Sequence, residues 1–427
     1  MRGSLLFLVA VSASAAFAQN YTSYRTGAPG GVDPVAQGGI CLMGGATEND
    51  NAMVWFLERA SGGDVVVLRA SGSDGYNDYM YSDLGGINSV ETIVFNDATA
   101  AFEPYVHQRI LDAEAIWFAG GDQWDYVDYW RGTPIDSLVR EAVNVRNVAI
   151  GGTSAGMAIL GGIQFTAENG TVSSAQALNN PYANNVTLSD DLFMDVPLMD
   201  GIITDTHYDD PDRRGRHFAF LAHAMDAFGL SDVLGIACNE YTAVCIDPAG
   251  EARVYGDYPS YDEFAFFLRA NCAVPNGPEV CEPGTPLTWD RTGDAVQVYK
   301  VPGVQSGTNG MNIATWDNGI GGTWEHWRAV EGVFSTTTGS AWECATGIST
   351  AGTEGVRVSY DPLSSVIIVT GGAVGATVQV VDVHGRVLRS TRIADGRWDR
   401  IAIAGIAAQL LVVTVEGAPI TRVVVPQ

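Results

Sequence analysis

The sequence predicts an α/β domain with a mostly parallel sheet, followed by a small all-β domain. Over the first half of the chain, short β-branched or apolar runs alternate with longer amphipathic runs, as in parallel strands joined by crossover helices. From Val356 to Gln427 the chain changes to short strand-like runs separated by turn signals. The 427 residues, 46% of them hydrophobic, are enough for more than one domain.

The elements of the α/β domain follow from the spacing of apolar residues. Its predicted strands are Ile40 to Met43, Val65 to Leu68, Thr92 to Phe95, Ala115 to Phe118, Val148 to Ile150 and Ile202 to Thr204. Its predicted helices are Asn51 to Arg59, Glu103 to Asp112, Ile135 to Val143 and Arg213 to Phe228. Paired strands over Gly235 to Ile246 are expected to close this domain.

The C-terminal segment contains five predicted strands. They are Val366 to Val369, Val378 to Val383, Val387 to Ser390, Leu410 to Val415 and Thr421 to Val425. Turn signals such as His384-Gly385 and Glu416-Gly417 separate them. We therefore expect a main domain at 19–350, with its core at about 38–255, and a β-rich domain at 351–427.

The N-terminus has the features of a signal peptide. Arg2 supplies a positive charge, Leu5 to Val11 an apolar run, and Ala16-Phe17-Ala18 a small-residue cleavage site. The apolar run is shorter than the ~20 residues that a membrane-spanning helix needs. We therefore expect residues 1–18 to be removed and the protein to be secreted or held at the cell surface.

Charge and cysteine content exclude some classes of partner. The formal net charge of -26 makes nucleic acid an unsuitable partner. An acidic surface is usually a solubility device, which is the preferred interpretation, although it would also attract a cationic substrate. The six cysteines show no metal-ligand spacing, so no metal site is predicted. In an oxidising compartment, local disulfides between Cys238 and Cys245 and between Cys272 and Cys281 are expected.

The turn from Gly151 to Gly156 carries the candidate nucleophile, Ser154. A predicted strand precedes it and an apolar helix start follows, which is the context of a nucleophile elbow. Glycines on both sides allow a turn too tight for Cβ atoms. The same pattern also fits a glycine-rich helix start that holds an anion.

A serine hydroxyl needs a base, and His207 is the preferred candidate among six histidines. It follows a predicted strand, so we expect it at the same sheet edge as Ser154. Glu168 is the candidate orienting acid because a loop returning after the serine helix could present it; a solvated loop glutamate is the alternative. Backbone N–H groups of Gly120-Gly121-Asp122-Gln123 could stabilise an oxyanion, and Gln123 could hold substrate there.

These segments together resemble a known family. Gly120-Gly121-Asp122-Gln123, Gly152-Thr153-Ser154-Ala155-Gly156, and Asp205-Thr206-His207 followed by Arg213-Arg214-Gly215-Arg216 are similar to motifs of the cyanophycinase and dipeptidase E family of serine peptidases. The resemblance implies a class I glutamine amidotransferase-like three-layer α/β sandwich. It also implies a Ser-His-acid site that cleaves bonds beside an aspartyl residue, without metal or organic cofactor.

The resemblance also implies roles for individual residues. Ser154 would be the nucleophile, His207 the base and Glu168 the acid, with the N–H groups of Gly121 and Ala155 as oxyanion donors. The residues expected to contact or support substrate are Gln123, Asp122, Asp205, Arg213, Arg214 and Arg216.

Two features depart from the family pattern. Thr206 stands where the family commonly has glutamine, and Tyr208-Asp209-Asp210-Pro211-Asp212 separates His207 from the arginines. Those aspartates weaken a carboxylate-binding role for the arginines and favour a salt-bridged helix start. They would also suit an arginine side chain of the substrate.

The C-terminal strands have a resemblance of their own. Val380-Val381-Asp382-Val383-His384-Gly385-Arg386-Val387 and Thr421-Arg422-Val423-Val424-Val425 are similar to the sorting domain of type IX secretion substrates. The type IX machinery is then an expected partner, besides a peptide or polypeptide substrate and a second copy of the chain in a homodimer.

The sequence thus predicts an exported serine peptidase acting on β-aspartyl-arginine polymer or dipeptides. An α-aspartyl dipeptidase and an esterase of the α/β-hydrolase type are alternatives, since the order Ser, acid, His also fits the esterase. Gly120-Gly121-Asp122-Gln123 argues against the esterase. A surface protein that keeps the fold and only binds is a third alternative.

Overall fold

The computed structural model describes residues 19–230, 232–271, 275–316 and 319–341, and the C-terminal segments 357–361, 366–370, 375–381, 387–393, 398–402, 410–415 and 421–424. The predicted signal peptide lies outside these residues. So does the predicted boundary at residue 351, and the domain division stays a prediction.

The strands are numbered in chain order. They are β1 (Tyr21–Gly27), β2 (Ile40–Met43), β3 (Asp64–Arg69), β4 (Ser89–Phe95), β5 (Ala115–Phe118), β6 (Ala149–Thr153), β7 (Gln164–Phe165), β8 (Leu188–Ser189), β9 (Ile202–Asp205), β10 (Leu234–Cys238), β11 (Ala243–Ile246), β12 (Glu251–Tyr255), β13 (Phe264–Ala270), β14 (Val296–Pro302), β15 (Asn309–Asn312), β16 (Gly319–Ile320), β17 (Thr323–Val330), β18 (Val333–Thr338), β19 (Arg357–Asp361), β20 (Val366–Thr370), β21 (Thr377–Val381), β22 (Val387–Arg392), β23 (Trp398–Ala402), β24 (Leu410–Val415) and β25 (Thr421–Val424).

The α-helices are also numbered in chain order. They are α1 (Asp50–Glu58), α2 (Gly75–Asp78), α3 (Pro104–Leu111), α4 (Gln123–Trp130), α5 (Pro134–Asn144), α6 (Ala155–Ala158), α7 (Ser174–Asn179) and α8 (Arg214–Phe228). Short 3₁₀ or π turns occupy Tyr79–Leu84, Ala98–Phe102 and Arg291–Gly293. No helix in the described part of the chain is both long and apolar enough to cross a membrane.

A large mixed sheet forms the first layer. Its ten strands have the order β1-β4-β3-β5-β6-β2-β11-β12-β15-β16. The neighbours from β4 to β2 in this order are parallel, and the pairs at both ends are antiparallel. Parallel neighbours require crossover connections, and helices α1, α3 and α5 lie on such connections.

The parallel strands are apolar on both faces because both faces are covered. Val66 and Leu68 of β3 belong to a core with Val106 of α3, whereas Val65 and Val67 belong to a core with α1 on the opposite face. Each side chain of this kind contributes about 1.5–3 kcal/mol when fully buried. The alternation along β3 therefore fixes which helix covers which face.

A second sheet faces the first, and it was not predicted as a separate sheet. Its six strands have the order β18-β17-β14-β13-β10-β9; β9 and β10 are parallel and the others antiparallel. Ile236 of β10 and Phe267 of β13 share a core with Leu42 of β2, and α8 packs on the other face through residues such as Phe218. The structure therefore contains two mixed sheets where the sequence predicted one mostly parallel sheet.

The predicted strand pair over Gly235 to Ile246 is wrong. β10 pairs with β9 and β13 in the second sheet, whereas β11 pairs with β2 and β12 in the first. The four residues between them cross from one sheet to the other, with Tyr241 at a φ of 61°. A four-residue crossing and a hairpin turn look alike in sequence, because both need short polar residues and a positive φ.

The assignment of β10 and β11 to different sheets also changes the disulfide predictions. Cys238 and Cys245 lie in different sheets and belong to different hydrophobic cores, so the predicted bridge between them is wrong. The bridge predicted for Cys281 involves Cys272, which lies outside the described residues.

The C-terminal segments form two small antiparallel sheets. One has the order β19-β20-β23 and the other β22-β21-β24-β25. Strands are present at all five predicted positions, and Val378, Val380 and Val413 are buried. β19 and β23 were not predicted. This all-β region supports the coarse expectation of a separate β-rich part.

Candidate active site

Ser154 lies in a strained turn between β6 and α6. Its backbone has φ 52° and ψ -117°, a region that non-glycine residues rarely adopt. A Cβ on Gly156 would lie 2.1 Å from the carbonyl oxygen of Phe118, and one on Gly152 would lie 2.5 Å from the carbonyl carbon of Gly156. The two glycines therefore permit the close approach that turns the serine outward.

His207 lies against this serine. Its Nε2 is 2.8 Å from the Oγ of Ser154. The backbone N–H of His207 donates to the carbonyl of Gly44, and the ring lies so close to Gly45 that a Cβ there would be 2.4 Å from Cε1. Gly44 and Gly45 follow β2, whose neighbour in the sheet is β6. The end of β2 and the turn after it therefore position both partners, since the N–H of Ser154 donates to the carbonyl of Met43, the last residue of β2.

Glu240 completes a chain of three side chains. Its Oε1 is 2.5 Å from the Nδ1 of His207, and both side chains are 24% exposed. A carboxylate at Nδ1 favours the tautomer with the proton on that nitrogen, which leaves Nε2 free to accept the serine proton. The arrangement is that of a Ser-His-Glu triad.

Glu240 occupies the position that sequence reasoning gave to Glu168. Glu168 is an exposed residue after β7, and its backbone N–H donates to the hydroxyl of Thr166. The assignment of the acid is corrected accordingly. A usable signal existed, because Asn239-Glu240 follows a predicted strand just as His207 does, but those residues were interpreted as a hairpin turn.

The site lies where the carboxyl end of a strand in the first sheet meets the carboxyl ends of two strands in the second sheet. Ser154 follows β6 of the first sheet, whereas His207 and Glu240 follow the parallel strands β9 and β10 of the second. The expectation of a single sheet edge is therefore corrected. Two edges can supply a nucleophile from one side and its base from the other.

The turn before the expected oxyanion donor Gly121 lies beside the serine, and the second expected donor, Ala155, directly follows the serine in sequence. Gly120 lies beside it, since a Cβ on Gly120 would be 3.6 Å from the Cβ of Ser154. The hydroxyl of Tyr126 donates to the carbonyls of Ala119 and Gly120, which holds this turn in place ahead of Gly121. Ala155 is the first residue of α6, where a backbone N–H has no partner within the helix.

The acid and arginine expected next to His207 form a buried ion pair instead of a substrate contact. Asp205 accepts two hydrogen bonds from Arg216, at 2.9 and 2.5 Å, and both side chains are about 4% exposed or less. Arg216 also donates to Thr171 and Val172. Asp205 in turn accepts from the N–H of Thr206. This pair supports the backbone that leads into His207.

The other two arginines also have partners within the chain. Arg213 donates to the carbonyl of Thr206 at 3.0 Å, so it too supports the backbone before His207. Arg214 forms two hydrogen bonds with Asp212 at the start of α8. That contact is the salt-bridged helix start that the acidic segment suggested.

Asp122 and Gln123 lie at the start of α4. Asp122 caps the helix by accepting from the N–H of Trp124, and the amide of Gln123 donates to the carbonyl of Phe165 at 3.1 Å. Both side chains therefore have structural partners at this edge.

The inserted acidic segment lies next to the triad. Asp209 accepts a hydrogen bond at 3.0 Å from the backbone N–H of Glu240. Asp209 and Asp210 are exposed. The carboxylate of Asp209 therefore supports the triad acid, while that of the adjacent Asp210 is exposed to solvent.

Parts of the chain are similar in sequence to known proteins. Residues 51–181 match the model of Peptidase family S51. The cyanophycinases of Synechococcus elongatus and Thermosynechococcus vestitus are each 25% identical over 229 residues, which are 52% of this chain and 66% of theirs. The cyanophycinase of Geminocystis herdmanii is 22% identical over 151 residues, 35% of this chain and 51% of the relative.

Solved structures give weaker likenesses. A peptidase from an acI-B1 Actinobacterium has a TM-score of 0.37 at 15% identity, covering 52% of this chain and 89% of that one. A putative peptidase E from Listeria monocytogenes EGD-e has a TM-score of 0.32 at 15% identity, covering 51% and 98%.

The sequence matches support a relationship to peptidase family S51 and to the cyanophycinases. The part that matches the family model contains Ser154 but neither His207 nor Glu240. Those two residues rest on the geometry of this chain alone. The match also spans just under two thirds of the length of the two 25% identical cyanophycinases.

Proposed function

We propose that the protein is an exported serine peptidase that hydrolyses aspartyl bonds, with cyanophycin-type β-Asp-Arg polymer or dipeptides as substrates. The observation that carries the proposal is the hydrogen-bonded series from Ser154 through His207 to Glu240, at 2.8 and 2.5 Å. A serine, a histidine and a carboxylate in this order form the arrangement needed for acyl transfer.

The proposed reaction follows from these contacts. His207 Nε2 takes the proton of Ser154 as Oγ attacks the carbonyl carbon, and it then protonates the leaving amine. The carboxylate of Glu240 holds the ring and stabilises the imidazolium. The N–H groups of Gly121 and Ala155 hold the oxyanion, at about 3 kcal/mol per donor in serine hydrolases. Water, activated by the same histidine, then hydrolyses the acyl-enzyme.

The arginine-containing substrate is supported by charge near the triad. Asp210 is exposed, and its neighbour Asp209 contacts the backbone of Glu240. A guanidinium group pairs well with carboxylates. Asp205, Arg213 and Arg216 are taken up by contacts within the chain, so the proposal assigns them to support of His207. The similarity to cyanophycinases points to the same substrate class.

An α-aspartyl dipeptidase remains the alternative within the same fold, because the triad does not distinguish the two linkages. An esterase of the α/β-hydrolase type is disfavoured. In that type the order along the chain is Ser, acid, His, whereas here the acid on the histidine follows it as Glu240.

The enzyme proposal is tested with a serine-directed fluorophosphonate and with substrates. We expect labelling of the wild-type protein and its loss in Ser154→Ala, together with release of β-Asp-Arg from cyanophycin. Asp-Arg dipeptides of both linkages separate the two peptidase activities. Labelling without release from any of these substrates would reject the substrate; absence of labelling would reject the enzyme in favour of a binding protein.

Export belongs to the same proposal, supported by the signal-peptide pattern of residues 1–18 and the sorting-domain resemblance at the C-terminus. N-terminal sequencing of protein recovered outside the cell is expected to begin at Gln19. Intact protein that keeps Met1 and stays in the cytoplasm would contradict it.

A further inference from the structure

Two cysteines face each other across neighbouring strands of the large sheet. Cys41 of β2 and Cys245 of β11 are direct register partners in an antiparallel pair. Their sulfur atoms are 3.7 Å apart, and both side chains are completely buried. Both thiols are free in this structure.

The register places this pair at the site where antiparallel strands come closest. The N–H of Gly44 donates to the carbonyl of Thr242, and continuing the register makes these residues opposite each other. They therefore form a hydrogen-bonded pair, and such pairs alternate with non-hydrogen-bonded ones. Cys41 lies three residues from Gly44, so Cys41 and Cys245 form a non-hydrogen-bonded pair.

This geometry suits a disulfide. Opposite Cα atoms in a non-hydrogen-bonded pair are about 4.5 Å apart, within the range of about 4.4–6.8 Å seen for disulfides. The sulfur atoms need to approach by less than about 2 Å to reach a bond of about 2.05 Å. Rotation about the Cα–Cβ bonds supplies that approach without moving the strands.

We propose that Cys41 and Cys245 are a disulfide site joining β2 to β11. The two thiols lose two protons and two electrons as one S–S bond forms between them. The oxidant is a disulfide such as oxidised glutathione, whose own S–S bond breaks to give two thiols. The pair is fully buried in the folded chain, and burial raises the pKa of the Cys245 thiol, so the exchange takes place while the strands assemble.

The bond would join two strands whose flanking residues contact the backbone of the catalytic residues. The carbonyl of Met43, at the end of β2, accepts a hydrogen bond from the N–H of Ser154, and the carbonyl of Gly44, just after it, accepts one from the N–H of His207. The residues before β11 include Glu240, and Tyr241 donates to the carbonyl of Gly45. Crosslinking β2 to β11 therefore fixes the spacing between the base and its acid.

Peptide mapping of the full chain tests the proposal without using activity. The protein is refolded with a mixture of reduced and oxidised glutathione, alkylated, and digested with trypsin and a glutamyl endopeptidase. Cleavage after Glu240 separates Cys238 from Cys245. We expect a peptide containing Cys41 linked to one containing Cys245, which dithiothreitol separates.

Thermal unfolding provides the second measurement. Reduction is expected to lower the Tm by about 5 °C or more in the wild type and in the control Cys238→Ala, because the bond closes a long loop. Cys41→Ala is expected to lack both the linked peptide and the response to reduction. If Cys41→Ala does not fold, the peptide map of the refolded wild-type protein is sufficient to test the disulfide. Alkylation of both thiols in the refolded wild type, or linkage of either to Cys238, would overturn the proposal, whether or not the protein is a peptidase.

Discussion

Ser154 and His207 share a backbone feature that suits their proposed roles. Both are non-glycine residues with positive φ, at 52° and 46°, directly after a strand or one residue beyond it. Such conformations cost about 1–3 kcal/mol each and persist only where the surrounding structure enforces them. Here the close glycines enforce the serine turn, and the carbonyl of Gly44 fixes the histidine.

The identity of the acid gives a direct comparison between two glutamates. Glu240→Gln keeps the shape but removes the negative charge at Nδ1 and permits the wrong tautomer, so kcat/KM is expected to fall by about 10²–10⁴. Glu168→Gln changes an exposed side chain and is expected to leave kcat/KM within about twofold. Steady-state kinetics on the same substrate, with circular dichroism to verify folding, makes the measurement. A larger loss of kcat/KM in Glu168→Gln than in Glu240→Gln would instead identify Glu168 as the triad acid.

Sequence reasoning selected Ser154 and His207, which the structure brings into contact, because the signals of both residues are local. A strand, a glycine-rich turn and an apolar helix start are adjacent in sequence around Ser154, and only Thr206 separates His207 from its own strand. The role of Glu240 depends on which sheet each flanking strand joins, which the local pattern does not encode. The Asp205–Arg216 pair was found as a motif but misassigned, since burial of the pair becomes visible only when α8 packs on the second sheet.

At the level of strands, the amino ends of β3, β4 and β5 are joined by acidic side chains. Glu114, just before β5, accepts a hydrogen bond at 2.7 Å from the backbone N–H of Asp64, and Asp64 accepts one from Ser89. Burial and the negative charge of Asp64 raise the pKa of Glu114 to about 7. Glu114 therefore keeps its proton in the folded state at a pH where the unfolded chain has lost it.

This shift predicts a pH dependence of stability. The stabilisation from Glu114 is fully present below about pH 4.5 and is lost as the pH rises through about 7, because the folded state then has to ionise a buried carboxyl. Glu114→Gln stays neutral, so the free energy of unfolding is expected to decline less over that interval, by about 2 kcal/mol. Urea titrations at pH 5 and pH 8 measure the difference, with the exposed Glu58→Gln as control. Parallel declines in wild type and Glu114→Gln would contradict this role.

The elements themselves were easier to predict than their assembly. Strands occur at all six predicted positions of the α/β domain, because an apolar run buried on two faces has a strong signature. The second sheet was missed because the strands predicted at β9 and β10 were expected to belong to the first sheet, and no strand was predicted at the position of β13. The pairing of β10 with β13 depends on contacts distant in sequence.

For the whole molecule, charge is the property with functional consequences. A formal net charge of -26 gives the protein a negative potential as a whole, and the exposed Asp210 adjoins Asp209, which contacts the backbone of Glu240. The two contributions differ in range. The potential of the whole protein acts over distances that salt screens, with a Debye length of about 10 Å at 0.1 M, whereas a direct guanidinium–carboxylate contact is screened less.

An arginine-containing substrate and its neutral citrulline analogue can separate the long-range potential from the direct contact. If the proposed substrate class is right, KM for an arginine-containing substrate should rise several-fold between about 0.05 and 0.5 M NaCl, while KM for its neutral citrulline analogue stays nearly constant. Asp210→Asn should reduce the preference for arginine at every salt concentration, because the direct partner is gone. It should leave the salt response largely intact, because one charge among 49 acidic residues has been removed. Glu58→Gln removes an equal charge near the end of α1, at the opposite edge of the sheet, and should change neither. An equal salt response for both substrates would show that charge does not guide the substrate to this site.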